Sequence, residues 1–195
     1  MVLVSLGLIL AFLPFNGNRS LSVKPAVLLS EMLEEGTYFT VDQVARFVVS
    51  EDSTVRIIDL RSPEEFNAFS IPGSVNVPYD QFADTDPRTF FGNGDVRNIL
   101  YSNGDLYSNY ALVLAKGMNF RNVYVMKGGL NNWFETVMNS SFTGERITAR
   151  ENALFETRSR AKKIFTEMNS LPDSLKSKLL EAKRLEAQKL DGGCE

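Results

Sequence analysis

Val55-Arg56-Ile57-Ile58-Asp59-Leu60, followed by Arg61-Ser62-Pro63-Glu64-Glu65, is the stretch whose reading decides the fold. The first six residues are a β-rich run of the kind that makes a buried strand in a parallel sheet. Ser62 then stands where a helix N-cap stands, with Pro63 at the first helical position and Glu65 at the third. That is a capping box, and it opens a short helix expected to run to about Phe69. A buried strand leading straight into a capped helix is the unit from which parallel α/β sheets are built.

Outward from this stretch the pattern repeats. On the N-terminal side, Pro25 opens a helical pattern over Ala26 to Glu35, closed by Gly36 at a C′ position. Tyr38-Phe39-Thr40 is expected as a short strand. Thr40 then caps a helix over Val41 to Val48, with Val41, Val44, Ala45 and Val48 on one face. On the C-terminal side, Ile71-Pro72-Gly73 is a turn, and Ser74 to Val77 a short strand stopped by Pro78. Residues 84–95 read as a loop. Val96 to Tyr101 is expected as a strand, Ser102 to Tyr107 as a loop and Ser108 to Gly117 as a helix. Asn122 to Met126 is expected as a strand, Lys127-Gly128-Gly129 as a turn and Leu130 to Met138 as a helix. The alternation predicts an α/β fold, a small parallel sheet with helices on both faces. Five segments follow: 1–18, 19–36, the α/β domain at 37–140, a helical extension at 141–190, and a tail at 191–195.

Composition removes several classes of chemistry. The 195 residues are 44% hydrophobic and 23% charged, which is globular composition. A net charge of −3 leaves no basic excess to neutralise phosphates, so nucleic acid is not an expected partner. Residues 1–149 carry 11 Lys+Arg against 16 Asp+Glu, so the acidic excess lies in the α/β part. There is no histidine, which excludes Ser-His-Asp and Cys-His catalysis and any His-based metal site. The one cysteine, Cys194, excludes an intramolecular disulfide and a cysteine-cluster metal site. No cofactor and no metal are expected.

Residues 2–15, VLVSLGLILAFLPF, carry no charge. As a helix they span about 21 Å, short of the roughly 30 Å hydrocarbon core but the length of an export-signal apolar region. No small-x-small cleavage pattern follows at Asn16-Gly17-Asn18-Arg19-Ser20. The expectation is a membrane anchor, with a cleaved signal and a buried core helix as alternatives. Either of the first two puts the remainder on the outer, periplasmic side of a bacterial inner membrane.

Three segments carry a family resemblance: IIDLRSPEEFNAFSIPGSVNVP (Ile57 to Pro78), YSNGDLYSNYA (Tyr101 to Ala111) and NVYVMKGGLNNW (Asn122 to Trp133). In their order and spacing they resemble rhodanese-like domains, over residues 37–140. The resemblance implies a site in the loop after the fourth strand, a loop that in rhodaneses begins with the cysteine that carries persulfide sulfur. Here that position is Ser102, followed by Asn103, Gly104, Asp105, Leu106 and Tyr107. A serine holds no persulfide, and no imidazole is present to activate its hydroxyl. Asp105 would repel an anionic donor. Ser70 stands where the family often has His before Ile-Pro-Gly. Asp59 and Arg61 match the family's Asp-x-Arg and are expected to pin the loop over the strand ends or to line the pocket. The resemblance therefore implies the fold and a docking pocket, without rhodanese catalysis in the loop itself.

The C-terminal third reads as helical. Leu154, Ala161, Ile164, Phe165 and Met168 form a stripe over residues 150–169, and Leu171-Pro172-Asp173 breaks it before a second helical stretch. The chain ends Asp191-Gly192-Gly193-Cys194-Glu195. This tip resembles the Gly-Gly-Cys terminus of the carrier protein of bacterial thiosulfate oxidation, whose cysteine holds sulfur intermediates. That resemblance implies Cys194 as a candidate sulfur carrier, with a sulfur-handling or membrane protein as partner. An exposed Cys194 would also permit a disulfide-linked dimer in an oxidising compartment. The competing expectations are an inactive rhodanese-like domain serving as a protein-binding module, and a serine-based hydrolase or phosphatase built on the same loop.

Overall fold

The computed structural model describes residues 23–84, 89–91, 95–141, 148–172, 174–179 and 181–182. The expected membrane segment at residues 2–15 and the candidate carrier Cys194 lie outside them. Among the described residues no helix is long and apolar enough to cross a membrane.

Five parallel strands form one sheet, β1 (Tyr38–Phe39), β2 (Val55–Asp59), β3 (Val75–Asn76), β4 (Arg97–Tyr101) and β5 (Val123–Met126). Their order is β1-β5-β4-β2-β3. The expected α/β architecture is therefore the one observed. The register sets Asp59 beside Tyr101 and Ile58 beside Leu100, so the carboxyl ends of β2 and β4 fall level.

Because side chains alternate along a strand, each strand feeds two cores. Ile57, Ile99 and Tyr101 point to one face and pack with α2 (Val41–Ser50), with Trp133 of α6 (Gly129–Trp133) and with Ala161 and Phe165 of α7 (Ala149–Asn169). Ile58 and Leu100 point to the other and pack with Phe82 of α4 (Tyr79–Asp84) and with Ala111, Leu112 and Ala115 of α5 (Asp105–Gly117). Helix α1 (Pro25–Leu33) precedes β1, and α3 (Pro63–Ala68) follows β2.

The capping boxes form as read. Ser62 Oγ accepts from Glu65 N–H and Glu65 Oε2 accepts from Ser62 N–H, while Thr40 and Gln43 make the same pair at the head of α2. Several boundaries differ from expectation. Helix α1 ends at Leu33 and a 3₁₀ turn takes Glu35–Thr37. Helix α4 occupies residues just after Pro78 that carried no assignment. The expected helix over Leu130 to Met138 is an α turn that passes into a π turn at Phe134–Met138. A third capping box, Thr148 with Glu151, starts α7 one residue before its expected start at 150.

Helix α7 packs as an integral part of the domain. Phe165 sits against Trp133 (centroids 6.1 Å) and edge-on to Phe134 (5.6 Å). Arg158 donates from Nε and Nη2 to the two carboxylate oxygens of Asp42, at 2.6 and 2.7 Å.

Candidate functional site

The carboxyl ends of β2 and β4 and the segments that follow them enclose a cavity of about 450 Å³. Its walls are Leu60–Pro63 and Glu65 from the β2–α3 connection, Pro78–Asp80 after β3, and Ser102–Tyr107 after β4. This is the position at which open α/β sheets place their ligands.

The β4–α5 loop is shorter than expected. Asp105 is the first residue of α5, so only Ser102, Asn103 and Gly104 are loop, and Asp105, Leu106 and Tyr107 form the first helical turn. The reason is local. Gly104 is the N-cap and offers no side chain to cap with, so the sequence carried no capping signal at that point.

The loop is held from behind. Ser102 O accepts from Leu130 N–H at 2.8 Å and Asn103 O from Asn131 N–H at 2.9 Å, the two N–H groups belonging to the first turn of α6. Gly129 makes that approach possible. A Cβ there would lie 2.5 Å from Ser102 O, and its φ of +57° is itself unfavourable for a side chain. Ser102 Oγ donates to Gly104 O at 2.9 Å, and the Ser102 residue is buried. Asn103 Nδ2 donates to Glu65 Oε1 at 2.7 Å, tying the loop to α3. That hydrogen bond is the main reason the Glu65 carboxyl titrates below the ordinary glutamate range. Asp105 Oδ1 accepts from Gly128 N–H at 2.6 Å, so its carboxylate clamps the glycine turn as well as lining the cavity.

Arg61 both pins the neighbouring segment and lines the cavity, whereas Asp59, expected at the pocket, is wholly buried and does not line it. Arg61 Nη2 donates to Asp59 Oδ2 at 2.6 Å and Nε to Oδ1 at 3.0 Å, and the side chains are 2% and 0% exposed. Burial works against the Arg61 charge, but the hydrogen bonds and the charge of Asp59 outweigh it and raise the guanidinium pKa. Arg61 Nη2 also donates to Phe69 O at 2.7 Å. The guanidinium thus pins the Phe69–Ser70 segment while lining the cavity floor. Tyr101 lies beneath, fully buried, with its hydroxyl accepting from Ile71 N–H at 3.1 Å, and burial pushes its pKa far up.

These contacts fix the geometry of the site. The sequence model of the rhodanese-like domain matches residues 40–136. Those residues form a rhodanese-like domain. The domain is similar to a thiosulfate:glutathione sulfurtransferase of Saccharomyces cerevisiae, at 26% identity over 105 residues, which are 49% of this chain and 76% of that protein. Among solved structures it is similar to a single-domain sulfurtransferase of S. cerevisiae, at 19% identity and TM-score 0.45, over 53% of this chain and 92% of that one. It is also similar to a rhodanese-like domain protein of Staphylococcus aureus, at 22% identity and TM-score 0.43, over 50% and 90%.

Within the rhodanese-like domain the cavity gathers residues that the sequence did not mark as a site, with Glu65 marked only as a capping-box residue. Pro78, Tyr79 and Asp80 line it beside Glu65. The signal was the strand stop at Pro78: in a parallel sheet the residue after a strand's carboxyl end arrives at the same rim as the β4 loop. Tyr107, the last residue of the expected loop, belongs both to the cavity and to the surface. It lines the cavity, is 51% exposed, and rests against Tyr79 at 5.1 Å.

Proposed function

We propose that this chain is a sulfur-handling protein whose rhodanese-like domain docks a partner, and whose loop does not itself carry sulfur. The observation that carries this reading is Ser102, which stands at the head of the β4–α5 loop with its hydroxyl donated to Gly104 O. A serine oxygen cannot hold sulfane sulfur, and the chain has no histidine to raise its nucleophilicity. The thiol available for sulfur is Cys194, next to the end of the sequence after Gly192-Gly193. In the transfer proposed, the Cys194 thiolate attacks the terminal sulfur of a partner's persulfide. A new S–S bond forms on Cys194 as the partner's S–S bond breaks, and the partner leaves as a thiolate, with no net oxidation.

The uncharged run at residues 2–15 supports anchoring at the bacterial inner membrane, with the domain on the periplasmic side. A sulfur-handling protein or a membrane protein is then the partner. An oxidising compartment would also permit a Cys194–Cys194 dimer.

Two assays test this function. A Cys194→Ser chain supplied with thiosulfate and cyanide makes no thiocyanate above background, and Ser102→Cys recovers little, because Asp105 still opposes the anion. Carbonate-washed membranes retain the full-length chain. Thiocyanate from Cys194→Ser places sulfur chemistry back in the loop, and a mature N-terminus near residue 20 replaces the anchor with a cleaved signal.

A second reading, a binding module with no thiol chemistry, is favoured by one observation. The Ser102 hydroxyl and all three loop carbonyls are already engaged within the protein, as in a rigid docking cup.

A further inference from the structure

We infer that the mouth of this cavity receives a cationic side chain, an arginine presented by a partner polypeptide. The inference rests on the docking reading and specifies what docks.

The first support is charge. The cation that lines the cavity, Arg61, is closed off, with its side chain 2% exposed and bonded to Asp59. The carboxylates that line it, Glu65, Asp80 and Asp105, all belong to exposed residues. Solvent at the mouth therefore meets three negative charges and a neutralised pair. Asp105 has a further effect. A helix N-terminus attracts anions, and a carboxylate in its first turn offsets that attraction from within the chain. Glu65 Oε1 and Asp105 Oδ1 already hold partners at Asn103 and Gly128. Asp80 is engaged by no hydrogen bond or ion pair among the described residues.

The second support is aromatic. The Tyr79 ring lies 5.1 Å from Tyr107 and 6.4 Å from Tyr110, with both pairs inclined at 48°. Tyr107 and Tyr110 are half exposed. A tyrosine face attracts a cation, and an adjacent carboxylate neutralises it. A planar guanidinium can stack on the ring while its N–H groups reach the carboxylate. An anionic sulfur donor meets the opposite field at the same mouth.

The third support is extent, and it favours a polypeptide over a free small cation. The exposed apolar surface does not stop at the cavity. From Leu106 and Tyr107, which line the rim, it continues along the first turns of α5 to Tyr110, which lies outside the lining and is half exposed. A ligand that fills the cavity alone leaves Tyr110 in water, whereas a chain carrying the arginine covers it.

The test is titration of the ¹⁵N-labelled full-length chain, followed by NMR, with three probes. They are N-acetyl-arginine amide, the neutral isostere N-acetyl-citrulline amide, and thiosulfate. The expected result is that the arginine probe moves the Tyr79, Asp80 and Tyr107 amide signals, and that citrulline binds about tenfold more weakly. Asp80→Asn and Tyr107→Ala each lose about threefold to tenfold of the arginine affinity, and Asp80→Glu keeps it. Equal shifts with arginine and citrulline, shifts with thiosulfate alone, or no shifts overturn the inference. Cross-linking in the source cell separates this failure from failure of the docking reading. If Tyr107→Ala loses its partner but arginine shows no preference, docking stands and the cationic inference falls. If Tyr107→Ala keeps its partner, both fall.

Discussion

Asn169, the last residue of α7, and Ser70, at the turn before Ile71-Pro72-Gly73, are joined by two hydrogen bonds: Ser70 N–H donates to Asn169 Oδ1, and Asn169 Nδ2 donates to Ser70 O, each at 3.0 Å. The pair lies 99 residues apart in sequence. It treats Ser70 as a strand edge would, and Ser70 is wholly buried. Its neighbour Phe69 holds Arg61 through its carbonyl. Helix α7 therefore supports the floor of the cavity. Asn169→Ala leaves two buried backbone groups unpaired and is expected to cost about 1–3 kcal/mol. At this chain length that lowers the melting temperature by about 2–4 °C per kcal/mol, read by circular dichroism. An unchanged melting temperature would detach α7 from the site.

Asp59 and Arg61 form a fully buried ion pair. Removing one partner strands the other charge, so Asp59→Ala is expected to cost about 3–5 kcal/mol in urea unfolding. The double variant Asp59→Leu/Arg61→Met strands no charge and is expected to be more stable than Asp59→Ala. A double variant less stable than the single one would mean that Arg61 acts through packing on Phe69 and Tyr101 rather than through its charge.

Gly129→Ala tests the close approach of the glycine turn to the loop. The added methyl meets Ser102 O at 2.5 Å and Asn103 O at 2.9 Å, both backbone atoms that cannot swing away. With the positive φ added, the expected loss is about 1–3 kcal/mol. The Asn103 and Gly104 amide signals should shift, while those of the distant α2 stay in place. Wild-type stability in Gly129→Ala would show that the loop has slack.

Glu65 gives a pH dependence with a definite sign. Its folded pKa is lowered, first by the Asn103 hydrogen bond. The stabilisation is therefore fully present above the ordinary value of 4.5 and is lost as pH falls through the lowered folded value. In Asn103→Ala the Glu65 carboxyl is expected to titrate closer to 4.5, followed through its side-chain carbonyl carbon. The stability gap between variant and wild type should narrow as pH falls. A Glu65 titration unmoved by Asn103→Ala would assign the shift to the Ser62 capping box instead.

What was legible in the sequence was local. Val55 to Leu60 announced β2 by composition, and Ser62, Pro63 and Glu65 announced α3 by a motif that needs only neighbours. The α5 start was missed because Gly104 caps with backbone alone, so Asp105 looked like loop. Asp59 and Arg61 were marked by the Asp-x-Arg pattern but their ion pair was not, and the joining of Tyr79 to Tyr107 and of Ser70 to Asn169 depends on the sheet's crossovers. No local pattern encodes those contacts. The π turn at Phe134–Met138 left no trace in a helical periodicity that looked continuous. Cys194 was legible only as chemistry, a thiol beside two glycines.

The claim that sulfur rides on Cys194 and not on the loop is tested most directly by intact mass spectrometry. The full-length chain is incubated with a persulfide-generating donor system from the source cell, beside Cys194→Ser and Ser102→Ala. Wild type and Ser102→Ala are predicted to gain the mass of one sulfur atom, and Cys194→Ser to gain none. Added sulfur on Cys194→Ser, or a wild-type chain that yields only its symmetrical disulfide, would contradict the account.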